Sequence, residues 1–199
     1  MNAKEFADTA ELRHRIRRLL AVFRSISIHM QGQPDAQESA QHLAGRVSAI
    51  GRAAIAPIAG GMDLECLVLD ELLAHGMRRE TVVEGPAVRL NAKAAELMSL
   101  VVHELATNAI KFGALSQPQS RLSVLWWFID AAAPRLHFEW AENGVRMAAP
   151  GRYSQGFGSQ VVKRLVASEL HGDGELLFLE EGVLCRIEFP SDEALLKNE

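Results

Sequence analysis

The chain has 199 residues, of which 48% are hydrophobic, and a formal net charge of −4 at pH 7. This composition supports a sizeable core, and without a basic excess it argues against binding to nucleic acid or to an acidic membrane surface. The spacing of the two cysteines suits neither a disulfide framework nor a metal site. Residues 1–9 contain no apolar signal stretch. No run approaches the roughly 20 apolar residues of a membrane helix. We therefore expect a cytoplasmic protein, which would need a separate sensor protein to respond to a signal outside the cell.

The first predicted element is a helix from Ala10 to Met30, with His14 on its polar side. At about 100° per residue, His14 falls about 200° from Leu12, which belongs to the apolar stripe of this helix. The stripe consists of Leu12, Ile16, Leu19, Phe23, Ile26 and Met30. A neutral imidazole at such an exposed position is able to act as a nucleophile toward a phosphoryl group.

A second helix is predicted from Asp35 to Ile55, after a turn in which Gly32 breaks the first helix and Pro34 starts the next. Its apolar stripe consists of Leu43, Val47, Ile50 and Ala54. Two antiparallel helices leave these stripes half-exposed, so we expect residues 1–60 to form a homodimer whose hairpins assemble into a four-helix bundle. The alternative is that the hairpin packs on the rest of its own chain.

Residues 61–199 are predicted to form one domain of helices and strands. Helices are predicted at Asp63 to Leu73, Asn91 to Phe112 and Gly156 to Leu170. A turn with a short strand is predicted at His75 to Val83, and further strands at Leu122 to Ile129, Leu136 to Trp140, Leu176 to Leu179 and Leu184 to Phe189. Because the strands cluster as hairpins, an α/β sandwich is favoured over a doubly wound sheet.

The helix segment from Val102 to Gly113 carries the richest polar pattern. Its polar residues recur at three- and four-residue spacing and so share one face of the helix. They are His103, Glu104, Thr107, Asn108 and Lys111. An acid and an amide offer oxygen ligands to Mg²⁺ and a lysine offers a charge to phosphate, which suits a polyphosphate site, although a solvated helix face is the ordinary explanation of such a stripe.

Four motifs, in order along the chain, resemble those of the HWE histidine kinases in the GHKL ATPase superfamily. They are Glu11-Leu12-Arg13-His14-Arg15 (the phosphoacceptor motif), Val102 to Gly113 (the N box, with histidine at position 103), Trp140-Ala141-Glu142 (the Trp-x-Glu motif) and Gly156-Phe157-Gly158-Ser159 (the second glycine box). The stretch from Glu175 to Pro190 resembles the closing strands of the family. The resemblance implies an α+β protein, in which the N-terminal two-helix hairpin precedes a Bergerat-type α/β sandwich over residues 61–199.

The resemblance also implies a protein histidine kinase of a two-component system. His14 would take a phosphoryl group from ATP and pass it to an aspartate on a response-regulator receiver domain. Glu104 and Asn108 are implied as Mg²⁺ ligands, and Glu104 also as the catalytic base. The positions implied in ATP binding are His103, Asn108, Lys111, Glu142, Gly144, Gly156 and Gly158. Glu142 stands where other members carry an aspartate that binds adenine, and Trp140 is expected to serve in strand packing.

The sequence departs from the family after Glu142. It reads Asn143-Gly144-Val145-Arg146-Met147, where the family commonly continues toward Gly-Gly-Pro. This departure leaves open an alternative function as a dimeric histidine phosphotransferase, that is, a relay module whose ATP site has decayed. A third hypothesis is a dimerisation scaffold that docks a receiver. The intact N box favours the enzyme. The remaining histidines, His29, His42, His75, His137 and His171, are interpreted as structural or surface residues.

Overall fold

The computed structural model describes residues 43–51, 61–78, 80–129, 132–146 and 157–196. The chain divides into two compact units, Met1–Ala44 and Gly45–Glu199, and nearly all described residues belong to the second. The first predicted helix, with His14, lies outside the described residues, so the predicted hairpin and the predicted division at residue 60 stay predictions. Within the described ranges, no helix is both long and apolar enough to cross a membrane.

Residues 43–51 are helical, as predicted for the second helix, and are called α1. Ile50 of the predicted stripe is buried in the single chain, whereas Val47 is 39% exposed. The next helix, α2, spans Leu64–Ala74, and the Asp63 carboxylate caps it by accepting a hydrogen bond from the Cys66 N–H at 3.0 Å. An aspartate at this position satisfies a backbone donor that the first helical turn leaves unpaired.

A five-stranded sheet organises the second unit. Its strands are β2 (Val82–Glu84), β4 (Arg121–Ile129), β5 (Arg135–Asn143), β6 (Asp173–Leu179) and β7 (Gly182–Pro190). Their order is β2-β4-β5-β7-β6, in which β2 runs parallel to β4 and every other neighbour pair is antiparallel. A separate two-stranded sheet joins β1 (Met62–Asp63) to β3 (Arg89–Leu90). Neither the small sheet nor the parallel pairing was predicted, because both join short strands through distant parts of the chain.

Alternation along the strands places one row of side chains from each central strand in the core. On β5 this row contains Phe138, Trp140 and Glu142, and its cross-strand neighbours on β4 and β7 are also largely apolar. The buried neighbours are Leu122, Val124 and Trp126 on β4, and Cys185, Ile187 and Phe189 on β7. Glu142 is therefore a carboxylate at the end of an otherwise apolar row.

Two long helices complete the core. The first, α3, spans Ala92–Lys111, and the Asn91 side chain caps it by accepting a hydrogen bond from the Ala94 N–H at 2.9 Å. The second, α4, comprises Phe157–Gln160, a π-helical turn at Val161–Leu165, and Val166–Leu170. It contacts α3, β6 and β7. A last short helix, α5, covers Ser191–Ala194.

The predicted α+β class is confirmed, and the three helices predicted in this unit are present, with boundaries within one or two residues. The closing hairpin is also present, and its strands are longer than predicted. The main difference is β5, which was predicted to end at Trp140 and continues to Asn143. This extension matters because it carries Glu142 inside the sheet.

Candidate functional site

The N-box segment lies in the C-terminal half of α3, where the predicted polar stripe divides into a buried part and an exposed part. His103 and Glu104 are each 8% exposed, whereas Asn108 and Lys111 are exposed. The division arises because side chains of α1 and α2 lie against the middle of α3, whose residues 94–106 are all buried. Helical spacing alone places these side chains on one face, but it does not show which of them a neighbouring helix covers.

Glu104 is held by an arginine from α1. Arg46 donates hydrogen bonds from Nε to Oε1 of Glu104 at 2.5 Å and from Nη2 to Oε2 at 3.0 Å. Both side chains are buried, at 6% exposure for Arg46 and 8% for Glu104. A bidentate guanidinium–carboxylate pair is among the stronger charge-assisted hydrogen bonds, and burial excludes the water that would otherwise screen it. This pair therefore ties α1 to the N box.

The imidazole ring of His103 is held by side chains of α2 and of the residue that caps it. Its Nδ1 lies 2.7 Å from Oε1 of Glu71, and the same oxygen lies 2.8 Å from Nε2 of His75. On α1, Gly45 faces the far edge of the His103 ring, so closely that an added Cβ would lie 2.7 Å from Nε2. The orientation of the ring is thus determined by a carboxylate on one edge and a glycine on the other.

Glu142 lies where the core face of β5 meets the C-terminal end of α3. Its Oε1 accepts a hydrogen bond from Nε1 of Trp140 at 3.0 Å, and its Oε2 accepts one from the Ala114 N–H at 2.6 Å. The side chain is 3% exposed. Burial raises the pKa of Glu142, while the hydrogen bonds from Ala114 and Trp140 act in the opposite direction.

Gly113 makes room for this carboxylate. A Cβ at position 113 would overlap Oε2 of Glu142 and would crowd the backbone of Ala109. Trp140 is 0% exposed, so it packs in the strand as expected, and it also orients Glu142 through its indole N–H. The absence of a side chain at position 113 therefore lets a buried carboxylate lie at the end of the N-box helix.

The second glycine box comes to the same region. Gly158, in the first turn of α4, is buried, and a Cβ added there would lie 3.3 Å from Cβ of Glu104 and 3.7 Å from Nδ2 of Asn108. Gly144 follows β5 with a φ of 71°, a left-handed conformation that favours glycine. Gly156, like His14, lies outside the described residues.

The structure therefore brings most of the predicted site residues into one region around the C-terminal half of α3. His103, Glu104, Asn108 and Lys111 share the helix, Gly158 abuts it, and Glu142 lies at its end. Three further residues of this region were not predicted from the sequence: Arg46, Glu71 and Gly113. Arg46 and Glu71 join partners 58 and 32 residues away, a separation that no local pattern indicates. Gly113 was visible as the glycine that follows the helix, a common sign of a close backbone approach.

The same fold occurs in solved histidine kinases. The histidine kinase domain of the Erythrobacter litoralis EL346 blue-light activated histidine kinase superposes with a TM-score of 0.56 at 16% identity, over 85% of this chain and 95% of that one. A second structure of that kinase superposes with a TM-score of 0.58 at 18% identity, over 87% of this chain and 59% of that one. The fold is thus that of a histidine kinase domain.

The sequence has relatives of the same kind. It is 31% identical over 194 residues to the blue-light-activated histidine kinase of Rhizobium johnstonii, and the match covers 96% of this chain and 55% of the Rhizobium protein. It is 30% identical over 191 residues to blue-light-activated histidine kinase 1 of Erythrobacter litoralis, covering 91% and 52% of the two chains. The protein is therefore a homologue of histidine kinases. It spans about half the length of these relatives, and no family model matches it.

Proposed function

We propose that this chain is the kinase core of a two-component histidine kinase, which binds ATP with Mg²⁺ and autophosphorylates His14. The observation that carries the proposal is the buried Glu142 carboxylate, which a sheet strand, a glycine and the end of the N-box helix position together. The homology of the chain to named histidine kinases supports the reaction class. ATP, when bound, supplies the γ-phosphoryl group, and Mg²⁺ offsets the charge of the phosphates.

The Glu142 carboxylate has the chemistry that recognition of adenine requires. It accepts two hydrogen bonds from the protein, and a carboxylate has about four lone-pair sites, so it is able to accept a further one from an exocyclic amino group. Gly113 makes room for Oε2, which a side chain at this position would displace. These features speak against a decayed nucleotide site, and so against the relay hypothesis, even though the sequence departs from the family after Glu142.

The exposed end of α3 suits the phosphates. The Asn108 side chain offers an amide oxygen to Mg²⁺, and Lys111 offers a cation to phosphate oxygens, one helical turn further on. Gly158, beside Asn108, allows the backbone of α4 to approach the same phosphates. Gly144 and His103 complete the proposed set, together with Gly156.

Glu104 is the proposed second Mg²⁺ ligand and the proposed base toward His14. In the arrangement described, both of its oxygens accept hydrogen bonds from Arg46. Each oxygen keeps a further lone pair, but the carboxylate is buried beside Arg46, so Glu104 acts in either role when the Arg46 side chain moves aside. We infer that the described arrangement is a resting state of the kinase core.

The phosphoryl group on His14 would then pass to an aspartate of a response-regulator receiver domain. The basic residues near His14, including Arg15 and Arg18, suit the acidic surroundings of a receiver aspartate. Val47 of the proposed interface stripe is exposed in the single chain, which suits a homodimer of the helical hairpins. A separate sensor protein would provide the signal.

The test is incubation of the purified protein with γ-labelled ATP and Mg²⁺. The wild type is expected to acquire acid-labile, base-stable label, which His14→Ala removes and Asn108→Ala strongly reduces without unfolding the chain. Label that persists in His14→Ala would assign the acceptor elsewhere. Absence of label in the wild type, with label still gained from a phosphorylated receiver, would support the relay module instead.

A further inference from the structure

A cluster of metal-binding side chains lies behind the N box. Glu71, His75 and His103 each present one ligand atom, and these atoms all lie within 4.8 Å of one another. Oε1 of Glu71 occupies the centre, 2.8 Å from Nε2 of His75 and 2.7 Å from Nδ1 of His103. Within the described ranges, no other group of three such side chains comes this close.

The cluster is built by two helices. Glu71 and His75 are four residues apart and face the same way at the end of α2, with His75 as the C-cap residue. His103 reaches them from α3, and the two imidazole rings are 5.8 Å apart between centroids. Because all three residues sit at or next to helices that contact each other, the ligand atoms are held in place before any ion arrives.

Burial leaves one side of the cluster open. The Glu71 and His103 side chains are 6% and 10% exposed, whereas the His75 side chain is 25% exposed. A metal ion is therefore able to enter past His75, and a water molecule has access to the coordination position that the protein leaves open. A three-ligand site with a solvent-facing fourth position is a common arrangement for zinc.

We propose that Glu71, His75 and His103 form a binding site for a divalent transition-metal ion of the zinc class. Two imidazoles and one carboxylate favour zinc, nickel, cobalt or copper over Mg²⁺, which prefers oxygen ligands alone. Zinc lies about 2.0–2.2 Å from nitrogen and oxygen ligands, so tetrahedral ligands are roughly 3.3 Å apart and the present hydrogen bonds need to lengthen by only about half an ångström.

Where a neutral ring donates a proton to Glu71, metal binding would move that proton to the other ring nitrogen, so that the lone pair set free binds the ion. His103 belongs to the N box, and metal binding would lock its ring to α2. This site is separate from the proposed Mg²⁺ site, and its occupancy is measured without nucleotide.

The test is titration of the full chain with Zn²⁺ by calorimetry, in a Cys66→Ser background, because Cys66 is free and exposed and a cysteine thiolate binds zinc on its own. The parent protein should bind one equivalent with micromolar or tighter affinity, and a large excess of Mg²⁺ should not compete. His75→Gln and Glu71→Gln should each weaken binding by about 100-fold or more, because even the loss of a group that only orients a ligand costs about 10–100-fold.

His171→Asn is the matched control, since it removes an exposed histidine outside the cluster and asparagine tolerates the left-handed φ of 49° at this position. It should bind Zn²⁺ as the parent does. Loading with Co²⁺ gives a second readout, a visible absorption band that His75→Gln removes. His75 is partly exposed, so this variant should fold even if Glu71→Gln does not. No saturable site at micromolar Zn²⁺, or equal affinity in the parent and His75→Gln, would overturn the proposal.

Discussion

Replacing Arg46 by methionine removes the cation that holds Glu104 and keeps a side chain of similar length. Glu104 is 8% exposed, so the variant leaves a carboxylate in a site with little access to water. Removing one partner of a buried pair typically costs about 3–5 kcal/mol, most of which is the penalty of the charge left behind. We expect a loss of this order in the free energy of unfolding of the second unit.

The coupling between the two residues is obtained from a double-mutant cycle. Glu104→Met should also destabilise, because it leaves a buried guanidinium, whereas the double variant Arg46→Met with Glu104→Met places two apolar side chains together and should recover much of the loss. The matched control is the pair Arg186–Glu139, in which Nε lies 2.9 Å from Oε2 but the Arg186 side chain is 49% exposed. An exposed pair of this kind is worth about 0–1 kcal/mol.

The assay is urea unfolding followed by tryptophan fluorescence. All three tryptophans, at positions 126, 127 and 140, lie in the second unit, so the signal reports the unit that contains both ion pairs. A coupling energy for Arg46–Glu104 several times that of Arg186–Glu139 is the expected result. Equal and small couplings would show that α1 does not rest on the N box in solution, and would remove the basis for a resting state.

Three further predictions concern Glu142, Gly113 and the proposed homodimer. Burial raises the pKa of Glu142, so the folded chain holds that proton more tightly than the unfolded chain, and wild-type stability should fall as pH rises from the ordinary value of 4.5 through the raised pKa. Glu142→Gln lacks this titration. The difference in free energy of unfolding between Glu142→Gln and the wild type, measured by urea denaturation, should therefore shift in favour of the variant from about pH 4 to pH 8. A difference that stays constant with pH would contradict the reasoning. Gly113→Ala should displace the Glu142 carboxylate, lower the free energy of unfolding by about 1–3 kcal/mol and weaken ATP binding measured by calorimetry. Gly51→Ala, where nothing lies within 4 Å of the new Cβ, should be neutral or slightly stabilising. Equal behaviour of the two variants would refute the role assigned to Gly113. Phe23→Glu should convert the proposed dimer to a monomer in light scattering, because it introduces an unpaired charge into the predicted bundle, and a wild-type monomer at micromolar concentration would exclude that bundle.

The elements and the order of the motifs follow from local patterns in the sequence. Periodicity located α3 because its apolar residues repeat at helical spacing, and alternation located the central strands. Two of the predicted helices begin at Asp63 and Asn91, and in the structure these residues are the N-caps, each accepting a hydrogen bond from the backbone N–H three residues further on. The likeness of four motifs to those of a known family then indicated the kinase fold, which the solved structures confirm.

Some features were within reach of the sequence and were missed. Glu142 follows Phe138 and Trp140 at two-residue spacing, so continuing the alternation by one step would have placed it on the core face of β5. A buried carboxylate breaks the apolar pattern by which strands are found, and such breaks are common at functional sites.

Which polar residues meet depends on the packing of the helices. Arg46 and Glu104 are separated by 58 residues, and Glu71 and His103 by 32, so their pairing depends on how α1 and α2 are placed on α3. The burial of His103 and Glu104, and the exposure of Asn108 and Lys111 on the same helix, depend on that placement as well. His75, interpreted from sequence as a structural or surface residue, became a candidate metal ligand for the same reason. Periodicity describes how a helix faces its surroundings, whereas the identity of those surroundings is a long-range property of the folded chain.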